Sequence, residues 1–318
     1  MTTTTARVIT PDPTLWRQPA RPAILQQIGN TPLLRLERVT AGLPSGVQVH
    51  AKAEWFNPGG SVKDRPALRM IEQAEARGEL HPGKAILDAT SGNTGIGYAL
   101  VGAAKGYRVI LVMPENVSEE RKQIARAYGA ELVFSEGLEG ADGAIRLARE
   151  MIAAHPGRYY YPNQYDNDDN WLAHYHGTAN EIWRQTRGRV THFVAAIGTS
   201  GTFMGVSRRL RELNPAIQMI TVEPEDELQA IEGMKHMATA IVPKIYDFGQ
   251  KNGEVLVTAE QAWVMARRLV REEGLFVGFS AAAAIHASLE VARGLDHGLV
   301  VTILPDNGAK YVSLGLFG

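Results

Sequence analysis

Val47, Val49, Ala51 and Ala53 alternate with Gln48, His50, Lys52 and Glu54, the period of two expected of a strand over 47–55 with one buried side. The spacing then changes. Ala67, Met70, Ile71 and Ala74 fall at i, i+3, i+4 and i+7, one face of a helix that Gly78 can close, and Ser61 with Asp64 fits a capping box at its start. Upstream, residues 22–28 predict a short helical piece and 29–36 a turn into a brief strand. Downstream, the pattern predicts a strand over 84–88, a helix over 95–105, a strand over 108–113, a helix over 118–128 and a strand over 130–134, with Gly106 and Gly129 as helix C-caps. A polar, aromatic stretch over 159–176 breaks the rhythm. It resumes with a strand over 192–197, a helix over 202–213, a strand over 218–222, helices over 259–273 and 282–292, and a last strand over 299–304. Short apolar strands alternating with amphipathic helices predict mostly parallel sheets covered on both faces. Two such runs divided by one break predict two α/β lobes with a cleft between them.

The loops at the strand ends concentrate the candidate chemistry, as expected of open parallel sheets. Between the first long strand and its helix runs Asn57-Pro-Gly-Gly-Ser-Val-Lys-Asp-Arg65, which places Lys63 at a strand-to-helix turn where a cation opposes the helix dipole and gains nothing structurally. Thr90-Ser91-Gly92-Asn93-Thr94-Gly95 is dense in hydroxyls and unhindered N–H groups and opens into a helix, a set that suits a carboxylate. Gly198-Thr199-Ser200-Gly201-Thr202 has the small residues and donors of a phosphate cradle. It lacks the Gly-Lys-Ser/Thr ending of a nucleotide-hydrolysing loop, and Gly92, Gly95 and Gly97 do not have a dinucleotide fingerprint's order. A turn lysine, a carboxylate loop and a phosphate loop together describe a site for a phosphorylated aldehyde cofactor and an amino acid. Pyridoxal 5'-phosphate fits that description.

Composition narrows the classes further. The 318 residues, 45% of them hydrophobic, supply a sizeable core, and no run approaches the roughly 18–20 apolar residues of a membrane span. The net charge of -1 gives no nucleic-acid footprint. With no cysteine, thiolate metal sites and cysteine nucleophiles are excluded. His174-Tyr-His176 is the tightest histidine pair, and without a third ligand nearby it reads as packing or hydrogen bonding, so no metal site is expected. The first residues lack the basic-then-apolar pattern of a signal peptide, and 1–18 reads as a disordered tail on a cytoplasmic protein.

Motifs through nearly the whole chain resemble the cysteine synthase and cystathionine β-synthase group of fold-type II pyridoxal-phosphate enzymes. Ile28-Gly-Asn-Thr-Pro-Leu33, the Lys63 motif, Thr90–Gly95, Asn163-Gln164-Tyr165, Gly198–Thr202, Glu273-Gly274, Gly278-Phe-Ser280 and Pro305-Asp306 carry the resemblance. It implies a tryptophan synthase β-like fold of two three-layer α/β/α lobes: a larger cofactor-phosphate lobe over 19–46 and 160–318, and a smaller mobile lobe over 47–159. It implies that Lys63 forms the Schiff base and moves the Cα proton, that Gly198, Thr199, Ser200, Gly201 and Thr202 hold the phosphate, and that Asn93 bonds the ring hydroxyl. Ser280 would face the pyridine nitrogen, leaving it unprotonated and favouring β-elimination over transamination. Thr90, Ser91, Thr94 and Gln164 would hold the substrate carboxylate.

The activity so implied is β-replacement of an O-activated serine to give cysteine, in a homodimer, with a sulfur-carrier protein or serine acetyltransferase as further partners. The branch most resembled is cysteine synthase B. Two departures stand out: no glycine follows Ser280 within Ala281–Ala284, and the end of the site reads Pro305-Asp-Asn-Gly-Ala-Lys-Tyr311 where the family usually has Pro-Asp-Ser-Gly-Glu-Arg-Tyr. Glu223-Pro224 is followed by Glu225, Asp226 and Glu227 where phosphoserine users place an arginine, which favours O-acetylserine unless Lys235 or His236 compensates. Three competing readings are a cystathionine β-synthase using homocysteine, a serine or threonine dehydratase, whose lysine motif and phosphate loop read differently, and a non-catalytic binding subunit that keeps the fold.

Overall fold

A computed structural model describes residues 21–90, 92–227, 231–315 and 317, so the tail expected over 1–18 and the loop residue Ser91 lie outside the described residues. In chain order the strands are β1 (Leu33–Arg35), β2 (Gly46–Ala53), β3 (Ala85–Ala89), β4 (Val109–Pro114), β5 (Glu131–Ser135), β6 (Tyr159–Tyr160), β7 (His192–Ala196), β8 (Gln218–Pro224), β9 (Gly253–Val257) and β10 (His297–Leu304). They build a six-stranded sheet ordered β1-β2-β10-β7-β8-β9 and a four-stranded sheet ordered β5-β4-β3-β6. Every pairing is parallel except β1 with β2. Ala-Ile-Leu-Asp-Ala in β3 and Val-Ile-Leu-Val-Met-Pro in β4 are buried throughout, as strands covered on both faces must be.

The covering helices are α1 (Asp64–Ala76), α2 (Asn93–Lys105), α3 (Glu119–Ala127), α4 (Gly140–Ala154), α5 (Asp168–Ala173), α6 (Ala179–Thr186), α7 (Gly201–Leu213), α8 (Ala259–Arg268) and α9 (Phe279–Arg293). The apolar face expected of α1 is buried: Ala67, Met70, Ile71 and Ala74 pack with Ile86 and Leu111 under the smaller sheet. On the larger sheet, Ala281, Ala282, Ala283 and Ile285 of α9 pack against Val49, Val194 and Val300.

The order and number of elements depart from the sequence reading. β2, expected at the start of the smaller lobe, lies inside the larger sheet, with Val47 to Ala53 in register with Gly298 to Leu304. The stretch over 159–176, expected to be a simple break, supplies β6, α5 and a wide helical turn (His174–Thr178) that runs into α6. α4 and β9 also lie where no element was expected.

Lys52 points into the interior although the alternation puts it on the outer side. It is fully buried, with Nζ 2.7 Å from Glu181 Oε2 and donating to the Thr31 carbonyl at 2.6 Å. Arg65 of α1 completes the cluster, with Nε donating to Glu54 Oε2 at 2.6 Å and Nη1 to Glu181 Oε1 at 2.7 Å. Burial alone would raise Glu181, but the hydrogen bonds and charges of Arg65 and Lys52 hold its carboxyl well below the usual range. This cluster ties β2, α1 and α6 together beside the Lys63 turn. Arg65→Ala leaves Glu54 buried without its ion-pair partner and Glu181 with Lys52 alone, so denaturant unfolding should show a loss of about 3–5 kcal/mol, against under about 1 kcal/mol for an ordinary surface pair.

Candidate active site

The turn before Lys63 is built by its neighbours. Gly59 N–H donates to Asp64 Oδ2 at 2.5 Å, and a Cβ on Gly59 would come within 2.5 Å of Asp64 Oδ1. Asp64 therefore folds back over the glycine pair and does not close the capping box expected with Ser61. The Ser61 hydroxyl instead accepts from the Lys63 N–H at 3.2 Å, and Lys63 itself caps α1. Lys310 Nζ donates to the carbonyls of Gly59 and Gly60 at 3.1 and 3.2 Å and to Asn93 Oδ1 at 2.9 Å. It thereby ties the lysine turn to the first residue of α2.

Lys63 opens into a pocket between the two sheets, at the carboxyl ends of β7 and β10. The pocket is also lined by Asn93, Thr94, Gln164, Gly198, Thr199, Ser200, Gly201, Thr202 and Ser280. Ten of the twelve expected site residues thus converge. Thr90 is buried but does not line the pocket; its hydroxyl oxygen accepts from the N–H groups of Gly92 and Gly95, both at 3.0 Å, and so shapes the loop. Ser91 is outside the described residues.

Burial pushes the Lys63 amine down to about 8, against the opposing pull of Asp306. Removal from water disfavours the ammonium, leaving an amine near neutrality. Asn93 Nδ2 donates to Asp306 Oδ2 at 2.7 Å, and with Lys310 on its oxygen the amide is fixed from both ends. The Thr94 hydroxyl donates to Gln164 Oε1 at 2.8 Å, while Gln164 Nε2 donates to the Ala89 carbonyl at 2.6 Å.

The residues at the head of α7 fit a phosphate. Ser200 sits in the left-handed region at φ 66°, and its hydroxyl is buried with no hydrogen-bond partner among the described residues. The first turn of a 13-residue helix follows, with unsatisfied N–H groups and the positive end of its dipole. There is no room for larger residues. A Cβ on Gly198 would lie 2.3 Å from the Gly233 carbonyl oxygen, and one on Gly201 would lie 2.0 Å from Asn170 Oδ1. His174 supports this loop from behind, its ring nitrogens bonded to the hydroxyls of Thr178 and Thr202 at 2.9 and 3.3 Å.

Of the charged rim, the sequence reading named Lys235 and missed Arg121. Arg121 of α3 forms an ion pair with Glu232, donates to the Tyr311 hydroxyl at 2.6 Å and stacks over that ring. Lys235 lines the pocket and pairs with Asp142 of α4 at 2.8 Å. Both pairs join the segment after β8 to helices of the smaller sheet. Arg121 lies within Glu119-Glu120-Arg121-Lys122, a charge run that by pattern alone is a solvated helix face.

A parallel α/β fold with a desolvated lysine facing an anion-binding helix end defines an enzyme that uses a phosphorylated aldehyde. The family model for pyridoxal-phosphate dependent enzymes matches residues 24–306. A cysteine synthase of Aquifex aeolicus is 49% identical over 94% of this chain and 93% of its own length, and a cysteine synthase B of Pseudomonas aeruginosa is 46% identical over 93% and 97%. Among solved structures, a cysteine synthase of Entamoeba histolytica superposes with a TM-score of 0.88 at 38% identity, covering 99% of this chain and 94% of its own. An O-acetylserine dependent cystathionine β-synthase of Helicobacter pylori superposes with a TM-score of 0.88 at 36% identity, covering 93% and 98%. The chain belongs to the pyridoxal-phosphate dependent enzymes, and within them to the cysteine synthase group.

The depressed Lys63 makes a specific prediction for the cofactor-free protein. Only the neutral amine captures an aldehyde, so the rate of pyridoxal-phosphate uptake, followed by absorbance, should rise with pH and level off above about 8. For a lysine near its ordinary 10.5 the rate would still be climbing there.

Proposed function

We propose that this cysteine synthase carries out β-replacement on O-acetylserine with sulfide, releasing acetate and forming L-cysteine. The observation that carries the reading is the convergence of the near-neutral Lys63 amine, the head of α7 and the Thr94–Gln164 pair on one pocket. Bound pyridoxal phosphate supplies an electrophilic carbon for the substrate amine and an electron sink for the charge that develops at Cα. The protein supplies the rest. The N–H groups at the start of α7, with the hydroxyls of Thr199, Ser200 and Thr202, hold the phosphate. Asn93 would bond the ring hydroxyl and Ser280 would face the pyridine nitrogen. Thr94 and Gln164, with Ser91, hold the substrate carboxylate and so aim the Cα–H bond, while Thr90 shapes the loop that carries them. Lys63 Nζ takes the proton from Cα as acetate leaves Cβ, and returns it to Cα once sulfur has bonded to Cβ. Closure of the smaller lobe, bounded here by the crossing after β2, would keep water from competing with sulfide. A cytoplasmic homodimer belongs to the same reading, as does docking of a sulfur-carrier protein or serine acetyltransferase.

One observation favours O-phosphoserine as a second donor. Lys235 lines the pocket, whereas Glu225, Asp226 and Glu227 do not, so the repulsion anticipated from those carboxylates is not directed at the substrate. An ammonium at the rim suits a phosphate leaving group.

Steady-state cysteine formation with O-acetylserine and with O-phosphoserine, each with sulfide, tests both statements. Wild-type protein should turn over O-acetylserine and Lys63→Ala should lose at least about 1,000-fold in kcat; near-wild-type turnover by Lys63→Ala would sink the mechanism. Lys235→Ala should raise KM for O-phosphoserine about tenfold while changing that for O-acetylserine by less than about twofold. Equal effects on the two donors would remove Lys235 from phosphate recognition.

A further inference from the structure

Behind the carboxylate loop lies a titratable group that the mechanism above does not use. Asp88, the fourth residue of β3, is completely buried. Its Oδ2 accepts from the Tyr98 hydroxyl of α2 at 2.7 Å and from the backbone N–H of Gln164 at 3.3 Å, and its Oδ1 accepts from the Ala89 N–H at 2.8 Å. Gln164 in turn holds Ala89 and Thr94 through its own side chain. One carboxyl therefore bonds the strand that enters the loop, the helix that leaves it and the glutamine that faces the pocket. The other titratable groups acting with it are phenols: Tyr98, then Tyr160 of β6, and Tyr161 and Tyr165 beyond it, all raised by burial and neutral. Among the described residues no cation acts on Asp88, and burial pushes its carboxyl up to about 7 against the three hydrogen bonds.

We propose that Asp88 is a positioning residue whose proton state sets the affinity of the carboxylate loop for the amino-acid substrate. The inference rests on the reading that this loop holds the substrate carboxylate. A neutral Asp88 still meets Ala89, Gln164 and Tyr98 but puts no charge behind the loop that faces the substrate carboxylate. An ionised Asp88 holds a second negative charge behind the same loop, with no counter-ion among the described residues, and the two repel. By linkage, substrate binding near neutral pH takes a proton up at Asp88. The sign follows directly. Affinity is highest below the Asp88 pKa and falls as pH rises through it.

The test uses the holoenzyme, with L-serine as a non-activated probe and the bound cofactor's absorbance as readout, from about pH 6 to 8.5. Asp88→Asn mimics the protonated carboxyl, so the ratio of wild-type to variant Kd cancels the ionisation of the probe and of Lys63. That ratio should stay near one at the acid end and grow about tenfold toward the alkaline end. Tyr98→Phe removes a donor to the ionised form, so the wild-type inflection should move to higher pH; this variant carries the test if Asp88→Asn does not fold. A ratio independent of pH, or an inflection unmoved by Tyr98→Phe, overturns the proposal and leaves Asp88 a structural residue. Absence of any L-serine absorbance change in wild-type protein at any pH overturns the loop assignment itself, and this inference with it.

Discussion

The buried carboxylate of Asp306 is a group on which both sheets converge. It leaves the end of β10, accepts from Asn93 of α2 and from Tyr311, stands 3.5 Å from Arg121 of α3, and draws on Lys63. Its backbone bridges Ser61, and the preceding Pro305 carbonyl accepts from Val62 N–H at 2.8 Å. Lysine turn, Asn93 amide and Arg121 are therefore placed relative to one carboxylate. A buried charge is tolerated only when hydrogen bonds and opposite charges surround it. Here Asn93, Tyr311 and Arg121 all meet Oδ2, while Oδ1 is buried with no hydrogen-bond partner among the described residues.

Much of this was legible because it is local. The alternation in β2, the apolar face of α1 and the glycine-bearing loops before α2 and α7 are patterns within a dozen residues, and local spacing is what sequence periodicity reports. Lys63 could be singled out because its place at a turn offers no structural gain. Other elements were hidden by their composition. α4 carries Ala141, Ala144, Ile145 and Ala148 at helical spacing, but Gly137, Gly140 and Gly143 around its start read as a loop. β9 is an edge strand with exposed Glu254 and Leu256, too short and too mixed to stand out.

The charged groups were illegible for a different reason. Lys52, Arg65 and Arg121 look like solvated positions in any window, yet all are buried. Arg65 meets Glu181 116 positions away, and Arg121 reaches Glu232 across 111. No periodicity encodes such a meeting; topology does. The departure Lys310, visible in sequence as a substitution for the family's arginine, acquires a role only when its amine is found between Gly59, Gly60 and Asn93. The capping box fails for a local reason instead: Asp64 is drawn to a backbone donor that the glycine turn presents five residues earlier.

The position of β2 carries a mechanical consequence. The strand leading to Lys63 is stitched into the larger sheet, whereas the helix leaving it packs under the smaller one. Lys63 thus stands at a pivot. In any rigid rotation, displacement grows with distance from the axis, so swinging the smaller layer carries Thr94 and Arg121 through a longer arc than the amine between the layers. Were the smaller layer to swing, the Lys63 amine would keep its aim while the walls around it travelled.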